Sequence, residues 1–167
     1  KRLLGLVLAD TRAQADSPDG RTGRFHLAQT AYTQGIEAVA NTMLPKLLGA
    51  TSLNNKPELV ESIRRTIHQA PVSGILVDLM AMAERRDSTT HLSAILCPTL
   101  VVIGEEDHTT PLIDAQLMAE RIPHARLAII PAAGHVSNCE QPELFNDLLR
   151  GFVEMLQPTA GEPNFRL

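Results

Sequence analysis

Two apolar runs near the C-terminal end constrain this chain more than any other feature: Thr99-Leu-Val-Val-Ile-Gly104 and Arg126-Leu-Ala-Ile-Ile130. Each is short and nearly continuous, the pattern of a strand buried on both faces rather than one face only. Between them, Pro111 to Ile122 places Leu112, Ala115, Met118 and Ile122 at helical spacing. After them, Gln141 to Leu156 does the same with Leu144/Phe145, Leu148/Leu149, Phe152 and Leu156, and Pro142 and Glu143 fill its first turn. Strand, helix, strand in that order implies parallel strands joined by a right-handed crossover. A third apolar run, Leu3 to Ala9, has the same character and supplies another strand. The expected class is α/β, with parallel strands and flanking helices.

The stretch between the first and second strands is different. Asp10 to Gly23 has no apolar period and reads as a loop. Arg24 to Leu48 repeats Phe25, Ala28, Tyr32, Ile36, Val39, Met43 and Leu47 at helical spacing, with a kink expected near Gly35 and an interruption at Pro45. Asn54-Asn55-Lys56-Pro57-Glu58 opens a second helix, which turns Leu59/Val60, Ile63 and Ile67 inward. Pro71 to Arg86 is a third, with Val72, Ile75, Leu76, Leu79, Met80 and Ala83. Leu92 to Ile95 fits one helical turn. Three helices without a strand exceed a minimal crossover, so this part reads as an inserted cap. The expected organisation is a core strand and exit loop over 1–13, a helical cap over 14–93, the rest of the core over 94–157 and a frayed tail over 158–167.

Charge narrows the partners. There are 15 Lys+Arg against 19 Asp+Glu, a formal net charge of -4. A nucleic-acid surface would need a basic excess, so no nucleic acid is expected. No apolar stretch reaches the length of a membrane span, so no membrane is expected, and the cytoplasm is the expected compartment. The two cysteines, Cys97 and Cys139, make no Cys-x-x-Cys pair.

Two loops carry chemistry, and each directly follows a strand, where open α/β sheets bind ligands. Gly104-Glu-Glu-Asp107-His-Thr-Thr-Pro111 places a carboxylate between a sharp turn and a helix start. Pro131-Ala-Ala-Gly134-His135-Val-Ser-Asn places one histidine after small residues. On adjacent strands, Asp107 can accept the imidazole N–H of His135, fix its tautomer and leave the other nitrogen as a general base. Alternatively, Asp107 caps the helix at Pro111 and His135 is an ordinary loop histidine. Glu105 and Glu106 can stand in for Asp107. His26, His68, His91, His108 and His124 lack comparable framing.

Leu3 to Gln157 resembles the C-terminal part of an α/β-hydrolase. Gly5-Leu-Val-Leu-Ala-Asp10-Thr11 resembles the strand that leads into that family's cap. Cys97-Pro-Thr-Leu-Val-Val-Ile-Gly-Glu-Glu-Asp107 resembles the strand and turn of the triad acid. Pro131-Ala-Ala-Gly-His135 followed by Glu140-Gln-Pro-Glu-Leu-Phe145 resembles the histidine loop and last helix. The Ala9-Asp10-Thr11 segment is similar to small esterases and enol-lactonases.

The resemblance implies a hydrolase of small carboxylic esters or lactones. Asp107 and His135 would be the acid and base of its triad, with no metal or organic cofactor. The same fold also serves lyases, C–C hydrolases, dehalogenases, haloperoxidases and non-catalytic binding domains.

The family's nucleophile lies upstream of the acid in a Gly-x-Ser-x-Gly elbow. The 167 residues contain no such sequence. Ser137, two positions after His135, reads as a loop hydroxyl. The chain is therefore expected to be a fragment: the nucleophile, oxyanion hole and N-terminal half of the sheet would lie before Leu3. Its first strand would then present an unpaired edge to the missing segment or to a second copy.

Overall fold

Parallel pairing of three strands sets the frame of the computed structural model, which describes residues 3–157. The strands are β1 (Leu6–Ala9), β2 (Thr99–Gly104) and β3 (Ala125–Ile130), in the order β1-β2-β3. Leu6 aligns with Thr99 and Ala9 with Val102, and Thr99 aligns in turn with Ala125 and Gly104 with Ile130. The central strand is buried at all six positions, which explains its unbroken apolar sequence.

Helices cover both faces of β2. The helices of the chain are α1 (Pro18–Gln34), α2 (Ile36–Leu47), α3 (Ala50–Asn55), α4 (Pro57–Gln69), α5 (Val72–Ala83), α6 (Leu112–Arg121), α7 (Ser137–Glu140) and α8 (Pro142–Leu156), with a 3-10 turn at Thr89–Ala94. Val101 and Ile103 pack with Ala115, Met118 and Ile122 along α6, beside Leu92 and Ala13. Leu100 and Val102 pack on the other face with Ile130, Ala133 and Phe152 of α8. Each of the larger side chains among them contributes about 1.5–3 kcal/mol through burial, so this sandwich is the rigid part on which the loops stand.

The helical insertion departs from the sequence reading in its boundaries. Its first helix begins at Pro18, inside the stretch read as a loop. Ser17 caps it by accepting the Gly20 N–H at 3.1 Å, and Pro18 fills its first position. The expected single helix over 24–48 is two helices, parted at Gly35, whose φ of 79° suits a residue without a Cβ. Pro45 sits within α2 without ending it. Phe25, Tyr32 and Met80, read as inward residues, are exposed. The insertion is held instead by smaller contacts. Ala31, Val39, Ala40, Leu44, Leu79 and Ala83 are buried where α1 packs on α5 and α2 packs on α4. Leu3 and Leu4 precede β1 and are exposed. The tail over 158–167 lies outside the described residues. No described helix is long and apolar enough to cross a membrane.

Candidate active site

Asp107 and His135 meet at the carboxyl ends of adjacent strands. His135 Nδ1 lies 2.9 Å from Asp107 Oδ2. A carboxylate accepts, so Nδ1 carries the proton and Nε2 is left unprotonated in the neutral ring. The Asp107 side chain is fully buried, and that of His135 is 22% exposed. The hydroxyl of Thr110 donates to the same Oδ2 at 2.7 Å. Oδ1 accepts the N–H groups of Thr109 and Thr110 at 2.7 and 2.9 Å. Asp107 therefore holds the imidazole with one oxygen and closes the turn before α6 with the other; it does not cap α6, whose N-cap Pro111 has no side-chain cap hydrogen bond. Burial would push its carboxyl up, but the hydrogen bonds from His135 and Thr110 outweigh burial and hold it below the ordinary aspartate value. Its carboxylate is the acceptor that fixes this imidazole tautomer.

Glu105 and Glu106 do not take this place. Glu106 Oε2 accepts the N–H of Thr51 at 2.8 Å, its Oε1 accepts the Thr51 hydroxyl, and these bonds hold its carboxyl low. Among the described residues, Glu105 reaches only the Ala132 N–H, at 3.4 Å. Among the other histidines, His68 pairs with Glu37 at 2.7 Å on the exposed side of the insertion. The Ser137 hydroxyl is buried and donates to Asp10 Oδ2 at 2.6 Å, so it is committed to the loop. Among the described residues, no three His, Cys, Asp or Glu side chains gather as a metal-ligand set.

Three residues that matter here were given no role from sequence, although Asp10 and Glu140 stand in the segments that carry the family resemblance. Asp10, at the end of β1 with φ 45°, accepts from Gly104 N–H and from Ser137. Burial raises its carboxyl above the ordinary value, partly opposed by those hydrogen bonds. Glu140 is 1% exposed and accepts two backbone N–H groups. Gly49, between α2 and α3, lies backbone to backbone against Gly134. The available signal was positional: Asp10 follows a buried strand as Asp107 does, and Glu140 opens the run before the last helix.

A parallel sheet with helices on both faces, a helical insertion and an acid–histidine pair on consecutive strand ends defines the α/β-hydrolase class. A model of the Ndr family matches residues 1–155, and the chain belongs to that family, within the α/β-hydrolase superfamily. A thermophilic esterase from Thermogutta terrifontis, solved with malate bound, superposes with a TM-score of 0.88 at 38% identity, over 94% of this chain and 58% of its own. The enol-lactonase from Burkholderia xenovorans LB400 superposes with a TM-score of 0.82 at 25% identity, over 92% and 57%. By sequence, 3-oxoadipate enol-lactonase 2 of Acinetobacter baylyi is 30% identical over 154 residues, covering 92% of this chain and 56% of that enzyme. The chain spans little more than half the length of the curated relatives it matches.

Proposed function

We propose that Asp107 and His135 are the acid and base of a hydrolytic triad acting on a small carboxylic ester or lactone. The observation that carries this is the 2.9 Å bond between His135 Nδ1 and the buried Asp107 carboxylate. The nucleophile, a serine hydroxyl, comes from residues outside this chain. His135 Nε2 takes its proton as the oxygen attacks the carbonyl carbon, and Asp107 stabilises the imidazolium. Collapse of the tetrahedral adduct breaks the ester C–O bond, and the imidazolium protonates the leaving oxygen. Water, deprotonated by the same nitrogen, then releases the acid.

The names of the esterase and enol-lactonase relatives support this substrate class. The helical insertion is the proposed cap. A cleft of about 540 Å³ runs between it and the acid loop, lined by Arg12, Arg24, Lys46, His108 and Thr109 among others. That volume suits a small ligand; Arg12 and Arg24 in its wall are paired with Asp16, and Asp19 also lines it. The cytoplasm is the proposed compartment.

In the whole protein that contains this chain, His135→Ala and Asp107→Asn are each expected to lower kcat for ester hydrolysis by about 10³-fold or more. The isolated 167-residue chain is expected to leave p-nitrophenyl acetate intact. Full esterase activity in the whole protein carrying His135→Ala would sink the assignment.

We further propose that the unpaired side of β1 receives the remainder of the sheet, and that the isolated chain self-associates there. Light scattering is expected to give at least twice the monomer mass. A strict monomer at the highest soluble concentration would count against it.

A further inference from the structure

We propose that Asp10 and Glu140 are positioning residues for His135: two buried carboxylates that hold its loop from either side and set the aim of the imidazole. The proposal rests on reading Asp107 and His135 as a catalytic pair. On the N-terminal side, Glu140 Oε1 accepts the Gly134 N–H at 2.7 Å while Oε2 accepts the Gly49 N–H at 2.8 Å. On the C-terminal side, Asp10 Oδ2 accepts the Ser137 N–H at 3.1 Å and its hydroxyl at 2.6 Å. Asp10 Oδ1 accepts the Gly104 N–H at 3.1 Å, which ties the loop to the end of β2. The His135 N–H itself donates to Leu47 O at 2.9 Å. The residue before the histidine, the histidine and the residue two after it are each fixed from outside the run 134–137.

Catalytic geometry tolerates displacements of only about 0.5 Å, and fixing the flanking peptide planes removes most of the freedom of the side chain between them. Stability alone does not call for this arrangement. A buried carboxylate is costly unless fully satisfied, and an apolar side chain commonly serves a fold as well. Glu140 makes no salt bridge among the described residues, and its two oxygens meet N–H groups only. The site therefore needs an acceptor at both positions. An amide of the same shape would set a donor against a donor.

The test is NMR of the labelled whole protein that contains this chain. The Nδ1 proton of His135 gives a downfield resonance while it is bonded to Asp107, and this readout does not depend on hydrolysis. Glu140→Gln and Asp10→Asn are each expected to speed exchange of that proton with water by about tenfold, the equivalent of one net hydrogen bond. Ile122→Val, which trims the core under α6, is expected to leave the rate unchanged. If a carboxylate variant does not fold, Ser137→Ala removes only the hydroxyl bond to Asp10 and is expected to speed exchange about threefold. A wild-type rate in either carboxylate variant, an unchanged rate in Ser137→Ala, or an equal acceleration in Ile122→Val overturns the proposal. Absence of ester hydrolysis with the exchange results as expected would instead count against the hydrolase reading alone.

Discussion

Gly134→Ala is expected to lower the thermal midpoint by about 6–12 °C, and Gly104→Ala by a similar amount. A methyl group on Gly134 would sit 2.8 Å from the carbonyl carbon of Leu48 and 3.0 Å from Gly49 Cα, and closer still to Gly49 N. One on Gly104 would sit 2.8 Å from the carbonyl carbon of Ala133 and closer to the carbonyl oxygens of Ala133 and Gly134. Every obstacle is backbone, so no rotamer change relieves it. Overpacking costs about 1–3 kcal/mol when side chains can give way, and more when they cannot. At about 3 kcal/mol or above, a chain of this length loses roughly 2–4 °C per kcal/mol.

The relaxation also has a functional direction. Parting Gly49 from Gly134 draws the α2–α3 junction off the histidine loop, which breaks the shared grip of Glu140 and the bond from His135 N–H to Leu47 O. Gly23 and Gly151, both inside helices with nothing within 4 Å of a new Cβ, supply the control. Alanine there is expected to raise stability by about 0.5–1 kcal/mol. Melting curves decide the matter. A Gly134→Ala midpoint equal to wild type would mean that the three backbones do not stack as described.

The contrast between these glycines shows what the sequence could and could not carry. Strand β2 and helices α6 and α8 were legible because a continuous apolar run and a 3.6-residue period report burial directly. Strand β3 was legible as a strand, but only Ile130 of it is buried and Ile129 is exposed, so the expectation of burial on both faces fails there. Asp107 and His135 were legible because both stand at a strand's carboxyl end, and a parallel crossover puts those ends side by side. Helix α1 was misjudged at its start because its first turns bury little, so its signal was the Ser17-Pro18-Asp19 cap rather than any periodicity. Helices α3 and α7, of six and four residues, are too short to show a period.

Asp10 and Glu140 stood in the segments that carry the family resemblance, but the bonds they make were not legible, for a different reason. Apart from the Ser137 hydroxyl, their partners are backbone N–H groups, which every residue but proline owns. Several of those partners lie 91, 94 and 127 positions away along the chain. No residue type announces such a bond. Only the fold brings the acceptor to it.

Asp16→Ala is the second large effect expected, a loss of about 3 kcal/mol or more at neutral pH. The Asp16 side chain is fully buried. Its Oδ2 accepts Arg24 Nε at 2.8 Å, and its Oδ1 faces Arg12 at 2.8 Å and Arg85 at 3.4 Å. Arg12 lies on the segment leaving β1, Arg24 on α1 and Arg85 just past α5, so one carboxylate gathers the exit, first helix and return of the insertion. Without it, three guanidinium groups that are 21–34% exposed converge with no counter-charge. The bond from Arg24 leads the effects that hold the carboxyl below its ordinary value, against the opposing pull of burial.

A depressed carboxyl contributes stability above its unfolded pKa and loses that contribution as pH falls through the folded one. The gap between wild type and Asp16→Ala in urea midpoint should therefore be full at pH 7 and should narrow below the ordinary aspartate value of 3.8. A gap that is equally wide in strong acid would assign the loss to packing rather than charge. A gap under about 1 kcal/mol at pH 7, the range of exposed ion pairs, would mean that Asp16 does not hold the insertion together.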